Sequence, residues 1–188
     1  MKTTHASKIF SITLGLLLLS LSFANVSSAN GDPKRQYLVG TGFLCNIAPS
    51  FCPDVAKASN GDTVTISGSG TFNAASMHAT GSGSFVHRGS TGTIKGFGTW
   101  TAEKLVSWTP GGFSTAGGLL PSGSEGGIAV LKVHISPATG GAGFTALLTI
   151  LCGLNTPGVE EGINLNVVGV INFDSLPSNH GNTLFIQP

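Results

Sequence analysis

A five-residue pattern recurs three times in the middle of the chain, and it constrains the fold more than any other feature. Gly68-Ser69-Gly70-Thr71-Phe72 returns as Gly81-Ser82-Gly83-Ser84-Phe85 and again as Gly96-Phe97-Gly98-Thr99-Trp100. Residues at i, i+2 and i+4 share one face of a strand, so both glycines and the aromatic of each copy point the same way. Glycines at such positions allow sharp coiling or a bulge, and they leave room for a large ring from a neighbouring strand. A closed or strongly curved sheet needs such places. The copies begin 13 and 15 residues apart, a spacing that suits successive strands of a meander. They are not nucleotide-binding loops, because each sits within a strand and no helix follows.

Little of the remaining sequence has helical periodicity. Thr63 to Phe72 alternates with period two, the mark of a half-buried strand. Ala102–Trp108, Ile128–Ile135, Phe144–Cys152, Ile163–Ile171 and Thr183–Ile186 read as further strands, with Tyr37–Phe43 as an extra candidate. Asp54–Ser59 predicts one short helical turn after Pro53, and Asn60-Gly61-Asp62 a turn. Thr109-Pro110-Gly111-Gly112 opens a long glycine-rich loop that runs to Gly127, of a length often found in functional loops. The expected fold is all-β: a single antiparallel β-barrel, an up-and-down meander of about eight strands, with a two-sheet sandwich as the alternative. An outer-membrane barrel is disfavoured, since one Tyr after the leader supplies two aromatic girdles poorly. At the level of fold, the glycine-rich meander resembles the small closed barrels of lipocalin-like and allene-oxide-cyclase-like proteins.

Residues 1–29 read as a cleaved secretory signal peptide. Lys2 and Lys8 give the basic start, Ile9–Leu21 the apolar core and Ser27-Ser28-Ala29 the small residues before cleavage. The apolar run is short for a membrane span, which needs about 20 residues, and no comparable run follows. Loss of Lys2 and Lys8 leaves seven basic residues against eight acidic ones, a mature net charge of −1. That balance excludes a polybasic nucleic-acid binder. The expected location is outside the cell or in a periplasm, with no stable membrane insertion. The organisation expected after the leader is an arm, 30–62, continuous with one antiparallel domain, 63–188.

An oxidising compartment permits a disulfide. Cys45 and Cys52 enclose six residues and make the easiest pair; Cys152, at the end of an apolar run, reads as a buried thiol or as a partner for one of them. No zinc signature is present.

Candidate chemistry is sparse. By the repeat register, Ala74, His87 and Ala102 follow the three aromatics on their own face, which turns His87 inward unless the register slips after Phe85. An inward His can reach a ligand or move a proton. Glu103 and Glu125 are the carboxylates that could work with it, Glu125 from the long loop. Trp100 and Trp108 could stack on a ligand, although Trp100 reads first as core. Glu160-Glu161 reads as a solvated pair at a turn. His78, His134 and His180 lack ligand spacing, so neither a metal nor a cofactor is expected. No Gly-x-Ser-x-Gly elbow is present, which leaves a hydrolase triad unsupported.

Two classes of function remain. The favoured one is a secreted, non-enzymatic protein that binds a small apolar molecule or serves as an extracellular surface or matrix component able to self-assemble. The alternative is a cyclase- or isomerase-type barrel enzyme that uses an inward His87 with a carboxylate in an apolar cavity.

Overall fold

Ten strands form one antiparallel sheet in the computed structural model of the chain, which describes residues 32–115 and 118–188. They are β1 Arg35–Val39, β2 Asp54–Ala58, β3 Thr63–Asn73, β4 His78–Arg88, β5 Ile94–Phe113, β6 Ser124–Pro137, β7 Phe144–Cys152, β8 Gly162–Val167, β9 Ile171–Ser175 and β10 Thr183–Ile186. A five-residue helix, α1 (Phe43–Ile47), and a single 3₁₀ turn, Pro49–Phe51, connect β1 to β2. The leader expected at 1–29 lies outside the described residues.

From β2 to β9 each strand pairs with the next, and β9 pairs back with β2. Eight strands therefore close a ring in up-and-down order, the all-β antiparallel architecture expected from the glycine repeat. β1 and β10 make a second connection across one end. β3 pairs β2 through Thr63–Ile66 and β1 through Gly68–Phe72. β6 pairs β10 at Ser124 and Glu125, and β7 from Gly127 onward. The segment expected as an arm, 30–62, thus supplies two strands to the sheet, β1 and β2.

Several local expectations are corrected. Asp54–Ser59 does not form a helical turn; Asp54–Ala58 is β2, with Asp54, Ala56 and Ala58 buried. Its backbone groups are taken by β3 on one side and β9 on the other, and this tertiary pairing overrides a weak local preference. The third repeat copy and Ala102–Trp108 are one continuous strand, β5, of 20 residues. Register shifts at Ala102/Lys104, Leu105/Ser107 and Pro110/Phe113 let it coil along its partner. The long loop expected from Thr109 to Gly127 accordingly shrinks to the stretch between Phe113 and Ser124. Ile163–Ile171 divides into β8 and the start of β9 at a tight turn, where Val170 N–H donates to Val167 O and Gly169 has φ 74°.

The repeat explains how the ring is filled. In the β3–β4 register Gly68 faces Gly83 and Gly70 faces Gly81. A Cβ on Gly68 or Gly83 would collide with the Trp100 indole, and one on Gly70 or Gly81 with the Tyr37 hydroxyl. The four glycines are therefore the floor on which these two rings lie. Trp100 Nε1 donates to Ser67 O at 3.2 Å, and Tyr37 Oη to Thr80 O at 3.1 Å, so both polar tips are satisfied in the core. Phe72, Phe185 and Trp108 extend the cluster, with centroid separations of 5.0 Å for Phe72–Trp108 and 4.7 Å for Trp108–Phe185. This half of the ring is solid.

Candidate functional site

The other half is hollow. A cavity of about 590 Å³ opens where β4 ends, β5 begins, β6 ends and the β8–β9 hairpin turns. Its walls are apolar: Val64, Phe85, Ile135, Leu165, Val167 and Phe173 face one another across it. The change from solid to hollow follows the repeat. Cross-strand pairs on the inward face of β4 and β5 run Gly83–Trp100, Phe85–Gly98 and His87–Gly96. The first two pairs set a ring against a glycine. The third sets a smaller, polar ring against Gly96, and a Cβ on Gly96 would meet no atom within 4 Å. Space left by that glycine is part of the cavity.

His87 lines the cavity because the register runs unbroken to it; the irregularity falls one residue later, between His87 and Arg88. Its ring packs edge-on against Phe173 at 5.3 Å between centroids. Its Nε2 lies 2.9 Å from Oδ2 of Asp62, and Lys95 Nζ donates to that same oxygen at 2.8 Å. The hydrogen bonds from Lys95 and then His87 hold the Asp62 carboxyl down to about 2, so it is ionised at any ordinary pH. An ionised carboxylate only accepts, which fixes the proton of neutral His87 on Nε2 and leaves Nδ1 as the lone-pair nitrogen. Asp62–His87 is thus a carboxylate–imidazole pair at the edge of an apolar cavity.

The other residues singled out in the sequence lie elsewhere. Glu103 is on the outer surface of β5, bonded to Lys132 at 2.6 Å. The Lys132 bond lowers its carboxyl below the usual range. Glu125 is not in a loop: it is the second residue of β6, buried at the solid end, with Oε1 2.6 Å from Arg35 Nε. Arg35 also lies 5.3 Å over the Trp108 ring and bonds Asp32 at 3.0 Å. Burial pushes the Glu125 carboxyl up, and Arg35 offsets part of that. Trp100 is fully buried and Trp108 half-buried within the aromatic cluster, so neither faces the cavity. Neither glutamate is brought to His87. The partner is Asp62, expected from the sequence only as part of a turn. The signal was available: Asp62 is two residues before Val64, and Val64 pairs with His87, so period-two alternation carries Asp62 onto the inward face.

Beside the solid end lies a second polar cluster. Asp54 is fully buried, and neither carboxyl oxygen has a hydrogen-bond partner among the described residues. Burial, with Glu161 close by, pushes its carboxyl up to about 9, so it is neutral at pH 7. Glu161 is not the solvated residue expected at a turn. It accepts from Gly153 N–H at 2.8 Å, Thr183 N–H at 2.6 Å and Thr183 Oγ1 at 2.8 Å, tying β7 to β10, and burial raises it too. Cys152 is a buried free thiol pushed up to about 12 by burial, while Cys45 and Cys52 are bonded to each other. Among the described residues no three of His, Cys, Asp or Glu gather into a set able to hold a metal ion, and no helix is long and apolar enough to cross a membrane.

No family model, curated protein or solved structure matches the chain.

Proposed function

We propose that this is an exported, non-enzymatic protein that holds a small apolar molecule in the hollow half of its strand ring. The observation that carries the reading is the cavity itself: about 590 Å³, walled mainly by aliphatic and aromatic side chains, with His87, Lys95 and Thr139 as the polar side chains that line it. Sites for small molecules have this size and this balance of apolar wall to polar group. Export through the leader at 1–29 fits the Cys45–Cys52 bridge, which needs an oxidising compartment. An intact mass beginning at Asn30 checks that part of the reading.

Titration with the uncharged dye N-phenyl-1-naphthylamine tests the binding. The wild-type protein should bind it saturably with a rise in fluorescence. Gly96→Phe, which places a ring in the cavity, should weaken binding about tenfold or more while the protein stays folded. Absence of saturable binding, or equal affinity in Gly96→Phe, overturns the reading. Native mass spectrometry of the protein as secreted should show retained small molecules. A ladder of empty oligomers would instead favour a surface or matrix role.

The Asp62–His87 bond favours a second reading, a cyclase- or isomerase-type enzyme. A carboxylate that holds Nε2–H orients the ring and leaves the Nδ1 lone pair free to accept a proton, which is what a general base requires. The two readings part on the fate of the retained molecule. A binder returns it unchanged; an enzyme converts it, and His87→Gln stops the conversion while dye affinity stays.

A further inference from the structure

Given that the cavity binds an apolar molecule, we infer that its ligand is an uncharged alcohol, an apolar body ending in one hydroxyl that Lys95 and His87 take at the cavity edge. Among the described residues, His87 and Lys95 are the only ionisable side chains lining the cavity, and both are already turned to one oxygen of Asp62, at 2.9 and 2.8 Å. The Asp62 side chain is almost wholly buried behind them, whereas Lys95 is half exposed. The polar edge therefore has no net charge when His87 is neutral: one carboxylate, one ammonium, one imidazole.

That balance sorts ligands by head group. An anionic head drawn to Lys95 must lie beside the Asp62 carboxylate, a like charge already desolvated. A cationic head meets Lys95 itself. A hydroxyl meets neither obstacle, and it is both donor and acceptor. Lys95 has ammonium protons beyond the one given to Asp62 and can donate to the oxygen, while His87 Nδ1 can accept the hydroxyl proton. A bare hydrocarbon leaves both groups unused, and a ketone uses Lys95 alone. Phe85, Ile135, Leu165, Val167 and Phe173 supply the surface for the apolar body.

Displacement of bound N-phenyl-1-naphthylamine at pH 8 by decanol, decanoate and decylammonium separates the possibilities, because the three differ only at the head. Decanol should displace the dye at a concentration about tenfold lower than either ion. Asp62→Asn keeps the side chain's shape, removes the negative charge and leaves Lys95 uncovered; decanoate should then gain about tenfold while decanol moves less than about threefold. Lys95→Gln should act in the opposite sense, with decylammonium gaining and decanoate losing, so the inference stays testable even where Asp62→Asn fails to fold. A wild-type preference for decanoate or decylammonium overturns the alcohol assignment and leaves cavity binding standing. So does an Asp62→Asn or Lys95→Gln protein whose preferences do not move. Absence of dye binding in the wild type overturns both.

Discussion

The two halves of the ring are built from the same strands and nearly the same sequence pattern, yet one is solid and the other hollow. In the solid half, Trp100 and Tyr37 lie on floors of paired glycines and are joined by Phe72, Phe185 and Trp108. In the hollow half, the next inward pair is His87 with Gly96, and no large ring takes the space opposite the glycine. An inward glycine is therefore ambiguous by itself. It is filled where an aromatic is in register with it and open where none is. The closing strands differ as well: β1 and β10 bridge the solid end between β3 and β6, while β8 and β9 wall the cavity. The close-packed aromatic cluster and the open apolar space thus lie at opposite ends of the ring.

Substitution of glycine in the two halves is the strongest way to break this comparison. Gly83→Val drives a side chain into the Trp100 indole and the Ser67 carbonyl, and should cost about 3 kcal/mol or more, read as a fall in the chemical denaturation midpoint. Gly96→Val, thirteen residues along on the adjoining strand, should cost less than about 1 kcal/mol, since its Cβ meets open space. Equal costs would mean that the hollow half collapses and is not a cavity in solution.

Buried Asp54 gives an effect of similar size with a pH signature. Its carboxyl ionises near 3.8 in the unfolded chain and near 9 when folded. The folded state thus holds the extra proton between those values, and stability falls as pH rises through that window. Asp54→Asn removes this slope. Between pH 5 and pH 8 it should gain on the order of 4 kcal/mol relative to wild type, measured by urea denaturation at both pH values. A flat difference would show that Asp54 is solvated. Smaller is the disulfide: Cys45→Ala with Cys52→Ala should cost about 2 kcal/mol by freeing the connection between β1 and β2, without changing dye affinity. Glu103→Gln should alter neither stability nor binding, because Glu103 is exposed and its partner Lys132 is partly exposed on the outer surface.

What the sequence disclosed was local. The repeat gave period-two faces, the Gly-aromatic complementarity and the inward position of His87, because each depends on alternation within or between neighbouring strands. What it concealed depends on long-range pairing. Glu125 looked like a loop residue because its partner, Arg35, is ninety residues away, and because Gly126-Gly127 reads as a turn until β10 and β7 are seen to pair beside it. The β2 segment looked helical because nothing local shows that β9 pairs with it. The cavity was hidden for the same reason. Ile163–Ile171 reads as one strand, and only the Gly169 turn makes of it a hairpin that brings Leu165, Val167 and Phe173 opposite Phe85.

The most direct test of a half-solid, half-hollow ring is xenon. Apolar cavities that stay dry take up xenon, and close-packed aromatic clusters do not. A crystal structure under xenon pressure should show the atom among Phe85, Ile135, Leu165 and Phe173, and none among Tyr37, Phe72, Trp108 and Phe185. Xenon within the aromatic cluster, or none beside Phe85 and Phe173, would contradict the account.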